Sequence, residues 1–165
     1  MKTVKVGILS DTHLDRPTEL FRKLAEECFA DTSAILHAGD LTEMSILEVF
    51  KGKELHAVHG NMCSFSTLDS LPKKKIVTIQ GVRIGLTHGA GFYHDLEEHL
   101  MDEFPEADCI VYGHTHRAVC HRIGSQLIIN PGSFRATGRW GAAGTYAILQ
   151  IGEKLSAHIY EVPKL

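Results

Sequence analysis

The sequence predicts an α/β fold, with two stacked mixed β-sheets between helical layers, in one domain spanning residues 1–165. Three observations point there. Over the first third, short β-branched runs alternate with amphipathic helical stretches, the pattern of parallel strands with helices outside. Further on, paired apolar runs flank tight glycine turns, as antiparallel hairpins do. No repeat, linker or low-complexity segment divides the chain.

Val4 to Leu9 reads as a largely buried strand. Pro17 suits the first turn of a helix, and Leu20, Phe21, Leu24, Ala25 and Cys28 recur at helical spacing along one face. Ala34 to His37 is a second strand. Thr42 is the expected N-cap of a helix with Met44, Leu47 and Phe50 inward, stopped by Gly52. Leu55 to His59 is a third strand. Lys73-Lys74-Lys75 reads as a solvated loop. Ile76 to Gln80 and Val82 to Thr87 form a hairpin about Gly81. Leu96, Leu100 and Phe104 mark a helix ended by Pro105. Ile110 to Tyr112 is a strand, Ala118 to Ile123 and Gln126 to Ile129 another hairpin, and Gly144 to Ile151 and Ser156 to Val162 the last two strands.

Composition excludes several classes. Hydrophobic residues make up 44% and charged residues 22% of 165 residues, an ordinary globular balance with enough chain for a substantial core. The net charge of −3 builds no field that steers nucleic acid, so no nucleic-acid partner is expected. No apolar run approaches the roughly 20 residues of a bilayer span, and no basic segment followed by a long apolar run opens the sequence, so neither membrane insertion nor secretion is expected. The four cysteines form no C-x-x-C pair. They read as reduced thiols of a cytoplasmic protein.

Histidine is the outlier, at 11 residues. Five β-like runs end in side chains able to ligate metal: Asp11 and His13, Asp40, Asn61, His88, and His114 with His116. A lone Asp-x-His or Gly-Asp marks an ordinary turn. All five in order, each after a strand, point to a metal site at the carboxyl ends of the strands, where α/β sheets place theirs. Alternate residues of an extended segment share a face, so Asp11 and His13 are expected to point together, and His114 with His116. Imidazole and carboxylate suit zinc, manganese and iron, and the Asn carbonyl adds a neutral oxygen. Two such ions about 3.5–4 Å apart clamp a phosphoryl group and acidify a bridging water, which then attacks in line with the leaving oxygen.

The series Asp11-x-His13, Gly39-Asp40, Gly60-Asn61, His88-Gly89, Gly113-His114-x-His116 resembles the calcineurin-like metallophosphoesterase superfamily. Ser10-Asp11-Thr12-His13 and Asn130-Pro131-Gly132-Ser133 look like its small prokaryotic phosphodiesterase branch. The resemblance implies a four-layer αββα sandwich. It implies one metal on Asp11, His13, Asp40 and His116, and a second on Asp40, Asn61, His88 and His114, with Asp40 bridging. Manganese is the first metal to expect, with iron, zinc or nickel as alternatives. Asp40, Asn61 and His114 are the expected catalytic positions. Many members follow the Asn with a His assigned as general acid. Met62 stands there and donates no proton, so leaving groups of low pKa are favoured, and with them phosphodiesters.

Arg135 and Arg139 are candidate phosphate contacts, and His59 a candidate neighbour of the substrate, a small phosphoester. His37 is a candidate orienter of a ligand. Cys63 and Ser133 read as loop and turn residues. Phe92 and Tyr93 are candidate walls of the cleft, and the other histidines read as surface or packing residues. Two further readings compete: a non-catalytic scaffold like the retromer subunit that resembles this branch, and a nucleotide or dinucleotide-polyphosphate hydrolase. An edge strand near the C-terminus is a candidate for self-association.

Overall fold

The computed structural model describes residues 2–61, 63–91, 94–135 and 143–164. Strands β1 (Val4–Leu9), β2 (Ala34–His37) and β3 (Glu54–Ala57) pair in parallel, as the alternation predicts. β9 (Thr145–Ile151) joins β1 antiparallel, and β10 (Leu155–Glu161) joins β9, giving the order β10-β9-β1-β2-β3. The second sheet runs β4-β5-β6-β8-β7. Its members are β4 (Lys74–Ile79), β5 (Val82–Thr87), β6 (Cys109–Val111), β7 (Val119–Ile123) and β8 (Gln126–Asn130). β5, β6 and β8 are parallel, with hairpin partners β4 and β7 at the edges.

Strand periodicity makes the layers. Val6, Ile8 and Leu36 face Val77, Ile84, Leu86 and Ile129 across a dry interior between the sheets. Leu9 and Ile35, on the opposite face, pack under Phe21 and Phe29. Ile110 and Ile128 do the same beneath Leu100 and Phe104. Sheets buried on both faces read as continuous apolar runs, and the result is helix, sheet, sheet, helix, as expected. Phe29 is fully buried and stacks on Phe134, ring centres 6.0 Å apart. Truncating it to alanine costs about 3–5 kcal/mol and loosens the loop that Phe134 pins beside Ser133.

Several local expectations are corrected. Helix α1 (Glu19–Cys28) is capped by Thr18, whose hydroxyl accepts from the Phe21 N–H at 3.1 Å, so Pro17 lies before the cap rather than in the first turn. Leu20 is 53% exposed; the inward face is Phe21, Leu24, Ala25 and Cys28. Met44–Phe50 forms a 3-10 helix, and Glu43, not Thr42, occupies its N-cap. Met44, Leu47 and Phe50 are three apart, the 3-10 period, so their spacing already carried that geometry. Thr42 instead bridges to Cys63. Helix α2 (Phe65–Ser70) was not anticipated, although Ser64 caps it through the Thr67 N–H at 3.2 Å. Lys74 and Lys75 belong to β4 rather than to a loop. Charged residues are common on edge strands because they discourage pairing with other chains. Helix α3 (Leu96–Glu103) forms where its periodicity places it. Among the described residues no helix is long and apolar enough to cross a membrane.

Candidate metal centre

The loops after β1, β2, β3, β5 and β6 meet at one end of the sandwich. Backbone hydrogen bonds lace them together: Asp11 N–H to the Gly39 carbonyl at 2.9 Å, His13 N–H to Asp40 at 3.0 Å, and Gly113 N–H to His88 at 3.1 Å. The β8 loop closes the group, with Phe134 N–H donating to Ser10 at 3.0 Å.

How the side chains converge differs from the expectation. Asp11 and His13 are not extended alternates; both are left-handed, with φ of 55° and 49°. Asp40 (59°), His114 (67°) and His116 (62°) are left-handed too. Asp and His tolerate this region better than most residues, yet each such residue costs of order 1–3 kcal/mol unless its surroundings hold it. The consequence is directional. His114 and His116 do not share a target but turn to different clusters.

Ligand-type atoms of Asp11, His13 and His116 lie within 4.8 Å of one another, and so do those of Asp40, His88 and His114. His116 Nε2 is 3.3 Å from Asp11 Oδ1. His88 Nε2 is 3.2 Å from Asp40 Oδ2. Asp40 Oδ2 is also 3.9 Å from His13 Nε2, so this carboxylate stands between the clusters. Asn61 joins the second, its Oδ1 3.1 Å from His88 Nε2.

The donor set suits cations. His88 Nδ1 donates to the Ala38 carbonyl at 2.7 Å, which leaves a lone pair on Nε2 facing the cluster. Asn61 Oδ1 faces only acceptors; turning the amide would aim its NH2 at Asp40 and His88 instead. That turn would still leave Asp11 Oδ1 and His13 Nε2 buried with no hydrogen-bond partner. A cation in each cluster satisfies all these atoms at once. Burial raises the Asp11 carboxyl above its ordinary value, although the Ser10 hydroxyl and the nearby imidazoles oppose it. Burial also works against a charged His88, but Asp40 and Asp11 outweigh it and raise its pKa. Burial thus disfavours a bare Asp11 carboxylate, while the two carboxylates favour positive charge at His88.

The supporting residues are specific. His37 is fully buried, and burial holds its pKa down at about 3, so it is neutral. Its Nδ1 accepts from Gly39 N–H at 3.1 Å, and its Nε2 lies 3.2 Å from the Thr12 hydroxyl, tying the β1 loop to the β2 loop. It therefore acts on backbone rather than on a ligand side chain. Asn130 was not singled out for a role; its amide donates to the Gly113 carbonyl at 3.1 Å and to Thr115 at 3.0 Å, holding the turn that carries His114. Ser133 does more than turn the chain, its hydroxyl donating to the Asp11 carbonyl at 3.1 Å. Two glycines are required by close approach. A Cβ on Gly60 would sit 2.1 Å from Asp40 Oδ1, and one on Gly39, at φ 103°, would sit 2.6 Å from the His88 ring.

The remaining candidates fall as follows. His59 is half-buried and lines a cleft with Asn61 and His88. Arg135 is exposed, and its Nη1 donates to the His13 carbonyl at 3.2 Å, which places it beside the first cluster. Arg139, Met62, Phe92 and Tyr93 lie outside the described residues. Cys63 Sγ accepts from Gly60 N–H at 3.3 Å and is a loop contact. His56 takes a hydrogen bond from Lys75, and His121 pairs with Glu97, both away from the two clusters.

A family model for the calcineurin-like phosphoesterase superfamily domain matches residues 4–154. The chain belongs to that superfamily. A probable metallophosphoesterase of Methanocaldococcus jannaschii is 35% identical over 136 residues, covering 79% of this chain and 68% of the relative. A phosphodiesterase of the same organism is 29% identical over 144 residues, covering 78% and 83%. Among solved structures, Vacuolar Protein Sorting 29 from Cryptosporidium parvum superposes with a TM-score of 0.81 at 20% identity, covering 98% of this chain and 92% of that one. This likeness is one of fold. An archaeal phosphodiesterase gives 0.74 at 25% identity, covering 96% and 99%. The superfamily is metal-dependent, and this member, a phosphoesterase by family, carries two candidate metal-binding clusters.

Proposed function

We propose that this superfamily member is a phosphodiesterase that works with two divalent metal ions. Asp11, His13, Asp40 and His116 would hold one ion, and Asp40, Asn61, His88 and His114 the other. The supporting observation is the convergence of acceptor atoms without donors: Asp11 Oδ1 and His13 Nε2 buried and unpartnered, and Asn61 Oδ1 facing acceptors alone. Divalent ions there supply Lewis acidity to the phosphoryl oxygens and make a water acidic enough to serve as nucleophile near neutral pH.

The chain's own residues set the rest. Asp40 lies between the clusters and fixes their spacing. The Ala38 carbonyl keeps His88 in the ligating tautomer. His13 and His116, 23% and 36% exposed, leave the first cluster open on the side by which a phosphoester enters. In hydrolysis the water oxygen bonds to phosphorus, the bond to the leaving oxygen breaks with its electron pair, and the water protons pass to solvent. With Met62 where an acid would stand, the leaving group departs unassisted, which favours esters with acidic leaving groups. The phosphodiesterase relative supports the same choice. Manganese is the first metal to test, with iron, zinc and nickel after it. The free thiols of Cys28, Cys63, Cys109 and Cys120 fit a cytoplasmic setting.

The test is turnover of bis(4-nitrophenyl) phosphate against 4-nitrophenyl phosphate by manganese-loaded protein. Diester preference is expected, abolished in His116→Ala. A clear monoester preference rejects the substrate class. A folded, metal-binding protein that cleaves neither ester supports the scaffold reading instead.

A further inference from the structure

Beside the second cluster a cleft of about 340 Å³ opens between the β3 loop and the start of β4. Its lining joins Asn61 and His88 to His59, Lys73 and Lys74, and includes Glu103 and the small residues 89–91. The cationic side is held in place from three directions. His59 N–H donates to the Pro72 carbonyl at 3.0 Å. The Thr87 hydroxyl donates to the Lys73 carbonyl at 3.4 Å. Lys74 pairs in register with Thr87, the residue before His88. Among the described residues no ion pair joins either lysine to Glu103 or to any other acid. The ordinary reading of lysines on an edge strand is protection against pairing. Two features speak for more here. The lining is continuous with the proposed metal ligands, and Lys73 and Lys74 bring two cations to it against the one carboxylate of Glu103.

We propose that this cleft binds a second anionic group of the substrate, a phosphate linked directly to the scissile one, through Lys73 and Lys74. The proposal rests on the phosphodiesterase reading above and narrows it to esters of diphosphate or longer chains. Ammonium groups serve a phosphate as point charges, whereas the His59 ring is turned to its own loop, Nδ1 donating to the Gly60 carbonyl at 3.2 Å. A substrate whose scissile phosphorus sits at Asp40 and Asn61 places its neighbouring phosphate toward this wall. Residues 89–91, without bulk, leave it room.

The test uses two esters with the same leaving group: the 4-nitrophenyl ester of a nucleoside monophosphate, and the 4-nitrophenyl ester on the terminal phosphate of the matching nucleoside diphosphate. They differ by one phosphate. Metal-loaded wild-type protein is expected to favour the diphosphate ester in kcat/KM by about tenfold or more. In Lys73→Gln/Lys74→Gln the ratio should fall toward parity, mainly through KM. Lys75→Gln should keep it, because Lys75 Nζ donates to His56 at 2.9 Å and does not line the cleft. Equal efficiencies in the wild type, or a preference that survives the double substitution, overturn the subsite and leave the phosphodiesterase reading standing. Failure to cleave either ester overturns that reading, and the subsite with it.

Discussion

The two clusters draw on the same side-chain types but sit at different depths. Asp40 and His88 are about 3% exposed, and His88 is anchored from behind by a backbone carbonyl. In the other, Asp11 is buried, His13 is half-buried with its Nε2 turned inward, and His116 is 36% exposed. Asp40 and His88 extend the packed interior, with His114 half-buried and Asn61 exposed beside them, whereas in the outer cluster Asp11 alone lies at that depth. A ligand whose orientation is fixed by packing loses little freedom on binding a cation, while an exposed imidazole must be ordered at that moment. The inner cluster is therefore expected to hold its ion more tightly and to admit less solvent, and the outer one to exchange and meet substrate.

The largest effect expected is at the residue the clusters share. Asp40→Ala removes the oxygen that approaches both His13 and His88. It should cost several kcal/mol of transition-state stabilisation, about a thousandfold or more in kcat/KM on an aryl diester. If one cluster worked alone, the loss would be far smaller. Next comes Gly60→Ala, whose Cβ would overlap Asp40 Oδ1. A displacement of about 1 Å at a reacting centre costs about a hundredfold, so kcat/KM should fall by that order while the far-ultraviolet circular dichroism stays unchanged. Retained activity would mean that the Asp40 position is not critical.

A finer comparison separates the depths. In a manganese titration followed by calorimetry, His88→Ala should abolish the tighter phase and His116→Ala the weaker one. Loss of the tight phase in His116→Ala would invert the assignment. The smallest effect concerns His37, which serves the inner side through Gly39 and Thr12. Its pKa falls from 6.5 in the free side chain to about 3 on burial. A base depressed on folding contributes stability that is complete above its unfolded value and lost as pH falls toward its folded one. Between pH 6.5 and 3, unfolding free energy should drop with a slope approaching 1.4 kcal/mol per unit from this group. His37→Asn, which keeps an acceptor near Gly39, should flatten that slope in urea melts. An unchanged slope would place the acid lability elsewhere.

Strand positions and the converging residues were legible because each depends on local pattern, whereas the order of strands within the two sheets was not. Apolar β-branched runs marked the strands, and polar residues able to ligate at their ends marked the loops. The conformation inside the loops was not legible. Asp11-x-His13 looks like an extended alternate pair, but the hydrogen bonds from Asp11 and His13 N–H to the β2 loop force both residues left-handed. That constraint comes from a segment some thirty residues away and leaves no trace in the local spacing. Helix α2 escaped because six residues with Phe65 outward, 87% exposed, show no apolar face. Lys73 and Lys74 read as a charge run, since nothing in the chain announces that Thr87 and His59 draw them to the edge of a cleft.

Metal content per chain, taken after saturation with manganese and dialysis, tests the central claim most directly. About two equivalents are expected for the wild-type protein, with near-complete loss in Asp40→Ala. A wild-type chain that retains none, or an Asp40→Ala chain that retains as much as the wild type, would contradict it.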